Sequence, residues 1–283
     1  MKKIFFLASI FFAMIALVNA QGLVTPQPSP LSKISQKFGL AEATVTYSRP
    51  SAKNRVIFGD IVPFGKIWRT GANSSTKIKF DDEVFVEGNK VPAGEYSLMS
   101  FPDKEQWTIV INKDTKGNGA FTYQESDDVA KFTVKSTKLM QHIESFTVEF
   151  TDLGFNSANL ELSWEKTAVK IKLENKVDEK IAKQIERLTA PTRDAQLYSN
   201  IASYYFETNQ KNAEALNFIT KATDLAPRYW TLQMKAKIQA RGNDFAGALA
   251  TLEKSTELAT KDKDDAYVNA NGKLKAEWEK KKK

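Results

Sequence analysis

The sequence predicts an α+β chain: an antiparallel β-sandwich or barrel-like domain, then a short all-α helical-repeat domain. Three observations carry this. Between residues 43 and 173, apolar side chains alternate at period two in eight or nine short runs separated by turn residues. From Val177 the spacing turns helical, through Ile181, Ile185 and Leu188. Beyond that, AEALNFITKATDLA (213–226) matches AGALATLEKSTELA (246–259) at seven of 14 positions, an internal repeat at an offset of 33.

In order along the chain, residues 1–20 read as a signal peptide. Lys2 and Lys3 form a basic start, 4–18 is an apolar run of 15, and Val18-Asn19-Ala20 is a small-residue cleavage pattern. Fifteen residues fall short of the roughly 20 a membrane span needs. The mature chain is therefore expected to begin at Gln21, exported to the periplasm or outside the cell without stable membrane insertion. Residues 21–42 read as an extended leader, because QGLVTPQPSP (21–30) holds three prolines and little to pack.

A β-rich domain spans 43–173. Val45 and Tyr47 alternate with threonines; Ile78 and Phe80 open a further strand, and Trp107, Ile109 and Ile111 share a face. Phe132 and Val134 make one later strand, and Phe146, Val148 and Phe150 another. The clearest hairpin is Leu160, Leu162 and Trp164 into Glu165-Lys166, with Val169, Ile171 and Leu173 leading out. A connecting helix occupies 174–191, ended by Pro191. Residues 192–283 form the helical domain, whose period and Ala/Leu spacing resemble tetratricopeptide repeats, helix pairs of about 34 residues. Ala213, Ala215, Leu216, Ala246, Ala248 and Leu249 are its expected helix contacts, and the basic end from Trp278 is expected to fray.

Composition excludes much chemistry. With no cysteine, thiol nucleophiles, disulfides and thiolate metal sites are ruled out. One histidine, His142, leaves no His-rich metal cluster. Without the signal segment, 39 basic residues against 34 acidic ones leave +5, too even a balance for nucleic-acid binding. No cofactor and no catalytic or metal residue is assigned.

The candidate site is the stretch 48–80, with seven basic residues, one acid (Asp60), glycines at 59, 65 and 71, and Phe58, Phe64 and Trp68 among the charges. Arg49, Arg55 and Arg69 are candidates to converge on an anion, with Trp68 to stack on a ring. The competing reading is solvated cations whose stems lie over the aromatics, with Trp68 in the core. The words SRPSAKNRVIFG, VPFGKIWRTGAN and VPAGEYSLMSFP resemble the bacterial family catalogued as domain of unknown function 2911, over roughly 25–173. The resemblance implies an extracytoplasmic β-rich domain, and it carries over Arg49, Arg55, Trp68, Arg69, Gly71 and Asn73. Here the chain departs from the family pattern at Asn54, Ser74-Ser75 and Asn118.

Weaker candidates are His142 as a general base without a nucleophile motif, and Asp81-Asp82-Glu83 and Asp127-Asp128 as calcium carboxylates without a loop spacing. Two functions remain. One is a non-enzymatic binding or scaffold protein, holding a small anionic or sugar-like ligand in the basic-aromatic loops and docking a protein or peptide on the helical repeat. The other is a hydrolase or lyase using Asp60 and Arg69.

Overall fold

Alternation becomes pairing in a nine-stranded, wholly antiparallel sheet. The computed structural model describes residues 25–117, 121–189 and 194–281, which fall into two compact units divided between Asn175 and Lys176. The expected signal segment, Asn118 and Pro191 lie outside the described residues.

The first unit holds β1 (Leu31–Phe38), β2 (Ala41–Ser48), β3 (Thr76–Phe80), β4 (Val84–Val86), β5 (Asn89–Val91), β6 (Gly94–Phe101), β7 (Gln106–Asn112), β8 (Asp128–Thr151) and β9 (Ser157–Glu174). Their order across the sheet is β1-β2-β3-β6-β7-β8-β9-β4-β5. The period-two residues point to one core: Ala43, Val45 and Tyr47 of β2 are buried with Ile78 and Phe80 of β3 and Trp107, Ile109 and Ile111 of β7. The sheet curls on itself. Tyr47 of β2 packs edge-on against Phe146 of β8 at 5.7 Å, although β3, β6 and β7 separate those strands in the ladder. Its hydroxyl donates to Val148 O and accepts from Val148 N.

Three expectations are corrected. The leader ends earlier than residue 42, because residues 31–38 pair along their whole length with β2. β1 is an edge strand carrying Lys33 and Lys37 that buries Phe38 alone, so it shows no core signal. The expected hairpin at Glu165-Lys166 is absent: residues 157–174 are one continuous strand. Glu165 sits at φ 50°, a local bulge where Ile143 pairs with it, and the chain reverses instead at residues 152–156. Likewise Phe132 and Phe146 belong to one long strand, β8, whose register breaks between Lys138 and Ile143. Met140 protrudes fully at that break.

Among the described residues the second unit holds six helices: α1 (Asp178–Thr189), α2 (Ala195–Glu207), α3 (Asn212–Leu225), α4 (Tyr229–Arg241), α5 (Phe245–Lys261) and α6 (Asp265–Lys281). Aspartates start three of them, Asp264 Oδ1 accepting from Tyr267 N at the head of α6. Asp194 Oδ1 accepts from Gln196 N and Leu197 N, and Asp244 Oδ1 from Gly247 N, filling orphan donors of the first turn. α3 and α5 fall on the two repeated segments, and equivalent residues are buried: Ala215 with Ala248, Ile219 with Leu252, Ala222 with Ser255. Leu216 and Leu249 pack partly, whereas Ala213 and Ala246 face outward. α1 lays Ile181 and Ile185 on the core of α2 and α3. The basic end does not fray at Trp278, which is buried with Ala236, Ala248 and Leu252.

Candidate functional site

The three arginines are placed apart. Arg49 follows β2 and turns back along β8, where Nε donates to Phe146 O at 3.2 Å and Nη2 to Thr147 Oγ1 at 2.9 Å. Arg55 donates to its own loop, to Ala52 O at 3.0 Å and Ser51 O at 2.9 Å. Arg69 donates to Asn73 O, and its guanidinium lies 5.5 Å over the Phe121 ring. No two of them share a partner in these bonds. Arg55 and Arg69 are tied to backbone carbonyls of the irregular loops, which have no ladder to satisfy them, and Arg49 to a carbonyl of β8 near its register break.

Trp68 is half-buried and packs against the core. It stacks on Trp164 at 6.0 Å and 17° and meets Phe58, Trp107 and Phe146 edge-on. Its Nε1 donates to Gly71 O at 3.1 Å, which fixes the turn beyond it. At Gly71 φ is 153°, and a Cβ would sit 3.1 Å from Ser48 O and from Thr76 Oγ1, so only glycine lets this turn approach β2. Asn73 adopts the left-handed conformation at φ 59°, with Nδ2 donating to Ser48 Oγ and Ser29 O. Asp60 is exposed, and among the ion pairs of the described residues none joins it to Arg69.

Asn73 opens onto a groove of about 440 Å³ walled by Ser29, Thr46, Ser48, Ser74, Ser75 and Lys77, with a few neighbours. Lys77 is the one cation among its lining residues. Strand alternation explains the arrangement: Thr76, Ile78 and Phe80 are buried in the core, so Ser75 and Lys77 share the opposite face of β3, with Ser97 opposite Lys77 in the β3–β6 register. Lys77 Nζ donates to Ser75 Oγ and Ser97 Oγ, each at 2.9 Å, and Ser97 Oγ donates to Asp114 O at 2.6 Å. Burial pushes the Lys77 ammonium below its ordinary pKa, and the charges of Asp114 and Glu95 oppose that shift. Asp114 is held below the usual carboxylate range by N–H donation from Gly117, then from Lys116.

A second groove, of about 450 Å³, touches the loop block through Phe58 and Phe64 and runs past Lys104, Glu105, Lys138 and Glu165. Glu165 is engaged there, since Oε2 accepts from Ile57 N and Phe58 N. The weaker candidates have local partners too. His142 Nε2 lies 3.2 Å from Glu144 Oε2 on an exposed segment, and Lys53 N–H donation draws the Glu144 pKa down. Asp81 accepts from Glu42 N, and Asp128 accepts from Tyr123 Oη and Asn112 Nδ2. Among the described residues no group of three or more His, Asp or Glu side chains is placed to hold a metal ion.

The geometry therefore defines an antiparallel β unit with a hydroxyl-rich, singly cationic groove on its outer face, followed by a helical unit. The first of these identifies the chain: it belongs to the family described as protein of unknown function DUF2911, whose sequence profile matches residues 29–173. No curated protein matches the chain. The family words have structural explanations in the turns. A Cβ at Gly59 would meet the Phe64 ring at 2.7 Å, and one at Gly94 would meet Tyr96 Oη at 3.0 Å. Reading the sequence for arginines missed the Lys77 cluster; the pattern Ser75-x-Lys77 on one strand face was its only local signal.

Proposed function

We propose that this chain is an exported, non-enzymatic binding protein, whose β unit takes a small anionic or sugar-like ligand in the Asn73–Lys77 groove. The helical unit serves in protein docking. The observation that carries the reading is Lys77: a half-buried ammonium held by two serine hydroxyls inside a groove with no acidic lining residue. Serine and threonine hydroxyls and the Asn73 amide around it suit the oxygens of a carboxylate, phosphate or acidic sugar. Export is supported by the N-terminal sequence pattern, and no helix among the described residues is long and apolar enough to cross a membrane. Among the described residues nothing favours the hydrolase or lyase alternative at the Asp60 and Arg69 loop region.

Calorimetric titration of the full chain with phosphate, citrate, glucuronate and neutral glucose tests this. At least one anion should bind, and Lys77→Met should weaken it by about 1.5–3 kcal/mol, the range for a charged hydrogen bond. Affinity should fall as pH rises through the lowered Lys77 pKa, below the usual 10.5, because the ammonium is then lost. An absence of binding across the panel, or equal binding by the variant, overturns the reading.

A further inference from the structure

α5 and α6 leave a groove of about 930 Å³ between them. Its two walls are stripes at helical spacing: Ala246, Leu249, Ala250, Glu253 and Glu257 on α5, and Val268, Gly272, Lys275 and Glu279 on α6. The base of this groove, lined also by Leu252, Thr256 and Asn271, is already committed within the unit. Trp278 is buried against Ala236, Ala248 and Leu252. Asn271 Nδ2 donates to Ser255 Oγ at 3.0 Å and Thr256 Oγ1 at 3.1 Å, while its Oδ1 accepts from Gln233 Nε2 at 2.7 Å. Ser255 Oγ in turn donates to Tyr229 O at 2.7 Å. A buried, hydrogen-bonded polar network of this kind fixes the register of the helices, so the groove is preformed.

The groove has a mixed lining, with Leu249, Leu252 and Val268 beside Thr256, Thr260 and Asn271, and its charged residues are mostly acidic. A Cβ built on Gly272 would meet nothing within 4 Å, so open space stands over the middle of α6. Glu253, Glu257 and Glu279 outnumber Lys275, the one cation among the lining residues. Two parallel walls at helical spacing with small residues between them accept a third helix, as in helix-in-groove recognition.

We infer that this groove seats a basic amphipathic helix of a partner protein, with apolar anchors over Leu249 and Val268 and Lys or Arg flanks facing the glutamates. The inference rests on the docking half of the proposed function and is independent of the β-unit groove. Charge complementarity of this kind sets partner choice and encounter rate.

The test is selection of 18-residue peptides from a displayed random library against the full chain, then anisotropy titration of the strongest as synthetic peptides. Expected peptides carry apolar residues at i, i+3 or i+4, and i+7, with basic flanks. Gly272→Trp, and separately the pair Glu253→Lys with Glu257→Lys, should each weaken them at least tenfold. These positions are exposed, so the circular dichroism of the helices should be unchanged. Peptides that bind both variants equally would leave docking elsewhere on the chain intact and remove this groove. Recovery of only acidic or unpatterned peptides, or of none, would also overturn the inference. So would sedimentation showing a dimer that Gly272→Trp abolishes, since the occupant would then be a second copy.

Discussion

The irregular loops that follow β2 and the outer face of β3 both carry cations, yet they use them differently. In the loops, Arg49, Arg55 and Arg69 spend their donors mainly on backbone carbonyls, with Trp68 and Phe58 turned into the core. On β3, Lys77 meets side-chain hydroxyls at the wall of an open groove. Charge density in the sequence thus does not by itself bring the cations together at one point. Arg55 and Arg69 satisfy carbonyls of loops that have no ladder, and Arg49 a carbonyl of β8, whereas Lys77 stands on the outward side of its strand. The comparison teaches where to look: a half-buried cation on the outward side of a strand, beside the crowd on irregular structure.

Stability measurements on the loop side give the largest expected effects. Trp68→Ala removes the ring that joins Trp107, Phe146 and Trp164, and should cost about 3 kcal/mol in chemical denaturation, as large aromatic truncations do. A loss under half of that would return Trp68 to the surface and erase the contrast. Arg49→Met should cost less, about 1–3 kcal/mol, because Phe146 O and Thr147 Oγ1 lose a charged donor. An unchanged melt would show the guanidinium to be free for a ligand after all.

How much of this the sequence carries depends on the range of the interaction. The α+β division was legible because the change from period two to helical spacing is local, at residues 173–177. Ala215 and Ala248 were legible because the offset of 33 repeats their burial. The β1 strand was hidden because alternate residues on an edge strand bury almost nothing, and Lys33 and Lys37 mask the pattern. Glu165-Lys166 looked like a turn because two charged residues interrupt two apolar runs. Nothing local shows that Glu165 bridges to the N–H groups of Ile57 and Phe58, more than 100 residues earlier. Of the six predicted site residues, the groove is lined by Asn73 alone. Lys77 was counted with the other basic residues but not singled out, since Ser97 and Asp114 join it only through tertiary pairing.

The central claim, that binding belongs to the strand lysine and not to the loop arginines, is tested most directly by one side-by-side titration. The tightest-binding anion of the panel is titrated calorimetrically into the wild type, Lys77→Met and Arg69→Met. The account predicts that Arg69→Met binds like the wild type while Lys77→Met weakens by about tenfold or more, the equivalent of a lost charged hydrogen bond. The opposite pattern, with Arg69→Met losing the anion and Lys77→Met retaining it, would contradict the account and place the site in the loops.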